Sequence, residues 1–107
     1  METFAKDGVL TELRGVLNRI YGSRLSSIRL YGSRARGDAT ADSDYDVLVI
    51  LNGMVVPDAE RRRCGDAVYD VCWRNDAVVM CHFVSRDRFE REKSPFIMNV
   101  QREGVAV

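Results

Sequence analysis

Leu30-Tyr31-Gly32-Ser33-Arg34-Ala35-Arg36-Gly37-Asp38-Ala39-Thr40-Ala41-Asp42-Ser43-Asp44-Tyr45-Asp46-Val47-Leu48-Val49-Ile50 is the stretch on which the reading of this chain turns. Gly32 lets the backbone turn and brings its N–H groups close to a ligand. Ser33 adds a hydroxyl at the expected start of a short helix, and helix N-termini favour anions. Arg34 and Arg36 add fixed positive charge, so the segment offers a phosphate cradle. Neither G-x-x-x-x-G-K-[ST] nor G-x-G-x-x-G occurs in the chain, which excludes P-loop and Rossmann readings. Asp44 and Asp46 stand two apart at the mouth of Asp46–Leu51, an apolar and β-branched run expected to be a strand buried on both faces. Alternation along a strand points both carboxylates to one side. Two such carboxylates repel unless a cation lies between them, and their hard oxygens suit Mg²⁺. A phosphate cradle facing a carboxylate pair is the chemistry of phosphoryl or nucleotidyl transfer.

Outward from this stretch the elements alternate. Val9, Leu10, Leu13, Val16, Leu17 and Ile20 recur at three- and four-residue spacing, which predicts a helix over Val9 to Ile20, ended by a left-handed Gly22. Ser27 to Tyr31 is expected to be a strand leading into Gly32. The 14 residues from Gly32 to Tyr45 are long for a hairpin, and long loops in small domains are usually functional. Pro57 opens a polar helix to about Val71, with Arg61, Arg62 and Arg63 on a solvated face. Ala77 to Val84 is expected to be a third buried strand. Ser85 caps a short helix over Arg86 to Lys93, and Ser94-Pro95 opens another to about Glu103. Gly104 closes it, and Val105 to Val107 either pairs as a terminal strand or frays. Tyr21-Gly22-Ser23-Arg24 repeats as Tyr31-Gly32-Ser33-Arg34, but only the second copy follows a strand and precedes paired carboxylates, so the first is a helix-ending turn.

Composition narrows the class. At 107 residues the chain is expected to be one domain, 1–107, since domains run to about 100–200 residues. Hydrophobic residues make up 46% and charged residues 30%, a globular balance. The 16 basic and 16 acidic residues cancel, which argues against bulk nucleic-acid binding. Arginine outnumbers lysine 14 to two, which base composition can produce but which also suits phosphate. Cys64, Cys72 and Cys81 form no C-x-x-C pair and their count is odd, so they are expected to fill core space in a reducing cytoplasm. His82 is the sole histidine, which argues against zinc catalysis and a Ser-His-Asp triad. By itself it reads as a hydrogen-bonded strand residue. No apolar run approaches the roughly 18 residues of a membrane span, and Met1 to Leu10 lacks the apolar stretch of a secretory signal.

Gly32-Ser33, the ten residues Arg34 to Ser43, and Asp44-Tyr45-Asp46 resemble the Gly-Ser, ten residues, Asp-x-Asp signature of the DNA polymerase beta-like nucleotidyltransferase superfamily. Gly-Ser-Arg-Ala-Arg-Gly and Ser-Asp-x-Asp resemble more narrowly its minimal nucleotidyltransferases, and Ser94-Pro95-Phe96 through Val105 looks like their closing helix. The resemblance implies a small α/β (α+β) nucleotidyltransferase fold, with a mixed sheet and helices packed mainly on one face. It also implies transfer of a nucleoside monophosphate from a nucleoside triphosphate, with ATP expected, to a hydroxyl. Gly32 and Ser33 would then hold the triphosphate, Arg34 and Arg36 would offset its charge, and Asp44 and Asp46 would be catalytic and would bind Mg²⁺. The family places a third carboxylate, metal ligand and base, on a later strand; Ala77 to Val84 contains none, and the nearest are Asp76 and Asp70. The two-ion site is therefore expected to be incomplete in the isolated chain. That departure raises a second implication of the resemblance, an antitoxin-type interaction protein paired with a helical HEPN-type ribonuclease toxin, with weak or no turnover alone. A second copy of the chain is a further candidate partner.

Overall fold

A computed structural model describes residues 7–107, so the expectation for Met1 to Leu10 falls largely outside the described residues. The Asp7 carboxylate accepts from the amides of Val9 and Leu10 at 2.9 and 3.2 Å and so starts α1 (Gly8–Tyr21), one turn-satisfying cap for two orphan donors. Its apolar stripe is buried from Val9 to Tyr21. Gly22 ends it at φ 53°, and the first Tyr-Gly-Ser-Arg becomes a 3₁₀ turn over Gly22–Arg24, as expected for a helix stop. β1 (Leu25–Tyr31) leads through Gly32 into α2 (Ser33–Arg36), and β2 (Tyr45–Leu51) follows the long loop. α3 (Pro57–Asn75) outlasts the expected end near Val71 by a further turn. β3 (Val79–Ser85) runs straight into α4 (Arg86–Arg91), because the Ser85 hydroxyl accepts from the Arg88 amide at 3.1 Å. Ser94 does the same for Ile97 at 3.3 Å and opens α5 (Pro95–Glu103). The tail is paired: β4 (Val105–Ala106) lies against β1.

The sheet is mixed, in the order β3-β2-β1-β4. β1 is antiparallel to both its neighbours and β2 is parallel to β3. Tyr45, Val47, Val49 and Leu51 face one layer, where they meet Val79, Phe83 and the apolar sides of α1 and α3. Leu48 and Ile50 face the other, under Val84, Phe89, Ile97 and Val100. The two long helices thus share one face, and two short ones cover the second, which is why β2 is apolar on both sides. β3 departs from the expected buried strand. It is the edge of the sheet, so its alternate residues Met80 and His82 are exposed while Val79 and Phe83 are buried. No helix of the described residues is long and apolar enough to cross a membrane.

One charged residue lies inside the α1–α3 layer. Glu60 is 3% exposed. It accepts from the Tyr21 hydroxyl at 3.0 Å, from Arg24 at 3.2 Å and from Arg63 at 3.2 Å. Burial alone would push its carboxyl up, but the hydrogen bonds from Arg24 and Tyr21 and the charges of Arg24 and Arg63 hold it below its ordinary value. The first Tyr-Gly-Ser-Arg copy therefore supplies two of the three donors that make this burial tolerable. Because the folded-state pKa is lowered, the stability this network contributes is complete above the ordinary value of 4.5 and is lost as pH falls through the lowered one. Tyr21→Phe deletes one donor from a buried carboxylate and is expected to destabilise the chain by about 1–3 kcal/mol at pH 7 in urea unfolding. The deficit should shrink in acid; an equal deficit at pH 7 and pH 3 would show that packing, not the hydrogen bond, is what was lost.

Candidate active site

The second Tyr-Gly-Ser-Arg copy sits where β1 ends. Gly32 takes φ 76° and ψ −158°, and a Cβ placed on it would lie 2.4 Å from Oδ2 of Asp46. Only a residue without a side chain can turn there, because both the positive φ and the space forbid one. The carbonyl of Gly32 then accepts from the amides of Ala35 and Arg36, and that of Ser33 from Gly37 and Asp38, which closes α2 in a single turn. The first amides of α2 have no acceptor within the helix, and the Gly32 turn that precedes them lies against the Asp46 carboxylate. Gly32, Ser33 and Asp46 are thus brought together, as the motif spacing implies.

Tyr45 is buried and points into the α1–α3 layer, so Asp46 points to the opposite face, where it is partly covered. Its carboxyl is raised from the ordinary value of 3.8, first by burial and then by the charge of Asp44, with His82 and Arg36 acting the other way. The pair Asp44–Asp46 therefore carries mutual repulsion, as expected of a site shaped for a cation. Arg36 pairs with Asp38 and Glu103, both at 3.3 Å, on the same side. Arg34 has another task. Its Nε donates to the Ser43 carbonyl at 2.9 Å and its NH2 to Ala41 at 3.2 Å, while the guanidinium lies 3.9 Å over the Tyr45 ring. It pins the far end of the loop back onto its own start, and so positions Asp44.

Among the described residues no third carboxylate joins the pair. Asp70 is exposed on α3, and Asp76 ends α3 at φ 48°. Asp76 opens instead on a surface hollow of about 340 Å³ with Asp42, Tyr69 and Trp73. No group of three or more His, Cys, Asp or Glu converges on a metal-sized space among the described residues. What stands beside Asp46 is aromatic. Tyr31 is directly opposite Asp46 across β1 and β2, Met80 is level with it on β3, and His82 is one pleat further along that face. The Tyr31 hydroxyl reaches over β2 to Nδ1 of His82 at 2.9 Å. Phe96 of α5 packs edge-on against both rings, at 5.4 and 5.9 Å between centroids. The Tyr31 hydroxyl is pushed up to about 12 by burial, Asp46 and Cys81. The sequence reading missed this cluster; the available signal was period-two exposure of Met80 and His82 on a strand parallel to β2.

Two outcomes follow from the geometry. Gly32→Ala must move either the turn or the Asp46 carboxylate, and is expected to cost about 1–3 kcal/mol in thermal or urea unfolding. Asp46→Asn should raise stability at pH 7. A carboxyl whose folded-state pKa is raised loses stability on ionising, so the advantage of the variant should disappear as pH falls below 3.8, where both states bind the proton. An Asp46→Asn chain less stable than wild type at pH 7 would contradict the repulsion described.

Comparison with known proteins bears on the fold and the family. None of the curated proteins matches the chain. Among solved structures it is similar to a toxin–antitoxin described with AMP-PNP, at TM-score 0.64 and 18% identity over 90% of this chain and 69% of the other. It is also similar to chains from two mutant forms of the toxin–antitoxin MntA-HpeT. These have TM-scores of 0.61 and 0.60 and identities of 14% and 21%, over 90% and 92% of this chain and 69% and 70% of theirs. At such identities the likeness shows a shared fold. The nucleotidyltransferase domain family matches residues 10–106, nearly the whole chain, with Gly32, Ser33, Asp44 and Asp46 inside the match, and the protein belongs to that family.

Proposed function

We propose that this chain is a single-domain, cytoplasmic, Mg²⁺-dependent nucleotidyltransferase that binds ATP and transfers AMP to a hydroxyl acceptor. The observation that carries the reading is the closure of the Gly32 turn onto the Asp46 carboxylate, which sets the start of α2 against the carboxylate pair. The donor set fits one hard divalent cation: the Asp44 carboxylate is exposed, the Asp46 carboxylate is partly covered, and the charge of Asp44 raises the Asp46 carboxyl. Bound there, Mg²⁺ would neutralise phosphate charge and polarise the α-phosphate. The residues do the rest. Ser33 and the first amides of α2 hold the β- and γ-phosphates, Arg36 offsets their charge, and Arg34 keeps the loop folded so that Asp44 stays beside Asp46. Among the described residues a second ion has no comparable set, which supports slow turnover by the isolated chain.

A second reading shares the site. The similar solved structures include toxin–antitoxins, one of them described with AMP-PNP. This supports an antitoxin-type role in which the chain docks on a helical toxin partner of HEPN type and binds or modifies it. The missing third carboxylate favours a partner that completes the site.

Calorimetry with Mg²⁺-ATP tests the site. Asp44→Asn with Asp46→Asn should abolish Mg²⁺-dependent binding and leave the fold intact. Ser33→Ala should weaken binding about ten- to hundredfold, the loss of one hydrogen bond to a charged phosphate. Ser23→Ala, in the first copy, should bind as wild type. Equal losses at Ser33 and Ser23, or an unaffected double mutant, would refute the assignment. Incubation with α-labelled ATP, Mg²⁺ and the product of the neighbouring reading frame, read on a gel, then asks for transfer.

A further inference from the structure

β3 ends the sheet on one side, and its free edge lacks the usual guards. All of Val79–Ser85 pairs with β2 in an unbroken parallel register, so no bulge turns the edge away. The run Val79-Met80-Cys81-His82-Phe83-Val84-Ser85 holds no Lys, Arg, Asp, Glu or Pro. An edge this long and even is a template for another strand unless charge or proline blocks it. The ladder also shows which backbone groups are free. The Tyr45 amide donates to the Val78 carbonyl at 2.8 Å. Alternation then turns the backbone groups of Met80, His82 and Val84 toward β2, and those of Val79, Cys81 and Phe83 outward. The Val79 amide is met by Sγ of Cys72 at 3.3 Å. Among the described residues, the outward amides and carbonyls of Cys81 and Phe83 have no backbone partner.

The helix beside this edge carries a second, independent observation. Between α3 and β3 runs an apolar groove of about 250 Å³, with Gly65 and Val68 on the helix side and Val79, Cys81 and Phe83 on the strand side. Gly65 is exposed in the middle of α3, where only proline costs a helix more. A Cβ placed on it meets nothing within 4 Å, so no contact inside this chain calls for glycine there. A bare helix surface beside a bare strand edge is room for a second backbone. Charge selects which one. The exposed side of α3 changes sign along its length, with Arg61 and Arg62 before Gly65 and Asp66 and Asp70 after it. Arg61 pairs with Asp58, whereas Arg62, Asp66 and Asp70 make no salt bridge among the described residues. Such a helix is complementary to its own copy run antiparallel. A two-fold axis that pairs β3 with β3 antiparallel also sets α3 antiparallel to α3.

We infer that the β3 edge and the outer side of α3 form a homodimer interface, in which a second copy of this chain lays its β3 antiparallel to the first and joins two four-stranded sheets into one. The axis passes beside His82. Cys81 then lies opposite Phe83 of the second copy, and each pair exchanges the amides and carbonyls that are free in one chain. The helices fall into place on the same axis. A strand rises about 3.3 Å and a helix about 1.5 Å per residue, so the step from Val79 to His82 matches about seven residues of α3. Counted back from Cys72, which touches Val79, that residue is Gly65. The two glycines meet near the axis, where the helices approach with no side chain between them. Arg61 stands as far before Gly65 as Tyr69 stands after it, so each guanidinium faces the exposed Tyr69 ring of the other copy. Arg62 falls between the other copy's Asp66 and Asp70. A strand from an unrelated protein would satisfy the edge, but it would have to carry an acidic and a basic half in this order to satisfy α3. Dimerisation through this edge needs neither nucleotide nor metal.

Sedimentation equilibrium of the full chain, without nucleotide or metal, over about 1 μM to 1 mM should show the mass rising from one chain to two. A chain that stays monomeric throughout overturns the proposal. Amide exchange read by NMR then locates the contact. The Cys81 and Phe83 amides should slow as concentration rises, while those of Met80 and His82, bonded to β2, should be slow at every concentration. A dimer that leaves the Cys81 and Phe83 amides as fast as in the monomer is built on another surface and overturns the proposal too. Cys81→Pro removes an outward amide without taking a bond from the β2 ladder, and should weaken the dimer about tenfold or more. Gly65→Lys covers the case in which proline disrupts the strand. Lysine is the better helix former, so the thermal midpoint of the dilute monomer should rise while the dimer weakens about tenfold or more. Arg62→Asp sets like charges together across the axis and should weaken the dimer. Adding Asp66→Arg and Asp70→Arg to Arg62→Asp reverses the whole face and should restore it. Gly65→Lys that dimerises at wild-type strength, or a charge-reversed chain no stronger than Arg62→Asp alone, would refute the pairing of α3 with its own copy.

Discussion

A missing side chain organises this protein. Gly32 turns β1 into α2 across the face of Asp46, with no room between its backbone and the Asp46 carboxylate for even a methyl group. The contact joins two segments 14 residues apart in sequence, and everything at the site is placed relative to it: the first turn of α2, the direction of Asp46, and the phenol of Tyr31 one residue earlier. The turn is left-handed because the chain must reverse there without leaving the sheet. Its strain falls on glycine, where it is small. The strain of the charges is not removed in the same way. Asp46 is raised by burial and by Asp44, and both are relieved when a proton or a cation binds there.

The loop between Gly37 and Asp44 is held from one end by one residue. Arg34 donates to two carbonyls near the far end of the loop and lies flat on Tyr45, which is itself buried and bonded to Asp7 through its hydroxyl at 3.1 Å. Asp7 caps α1 with its other carboxylate oxygen. A short chain of contacts therefore runs from the start of the first helix to the residue between the two acidic ones. The planar, always-charged guanidinium suits the role, since it can bond in its plane and stack on its face together. Arg36, two residues on, pairs instead with Asp38 and Glu103.

Most elements were legible in the residues. The 3.6-residue stripe of α1, the apolar run of β2, the Ser85 and Ser94 caps and the Pro95 start are local features whose causes lie within a few residues. The Gly-Ser and Asp-x-Asp pairs were legible for the same reason: a tight turn and a two-residue carboxylate spacing are local demands. Two readings show the limit. Ala77 to Val84 is as apolar as a buried strand, yet β3 is an edge, and hydrophobicity does not say which side of a strand lacks a neighbour. The role of Arg34 was equally hidden. Beside Gly-Ser it reads as a phosphate ligand, but the carbonyls it holds are seven and nine residues away in a loop without a pattern.

The sequence by itself determined the family, the sheet-and-helix class, and the identity of the turn and the acidic pair, because each is written in near-neighbour chemistry. Tertiary structure alone decided what stands around them. Pairing β2 in parallel with β3 put His82 on the Asp46 face, while Asp70 lies exposed on α3 and Asp76 at its end. It let a tyrosine from β1 reach across β2 to that histidine, and let α5 set Phe96 against both. Glu60, which reads as one charge in a polar helix, became the buried anchor of Tyr21 and Arg24 only when α3 packed on α1. These contacts span from 14 to 65 residues of chain. No local pattern encodes such pairs, because the register that makes them neighbours is set by the burial of whole faces and not by the residues themselves.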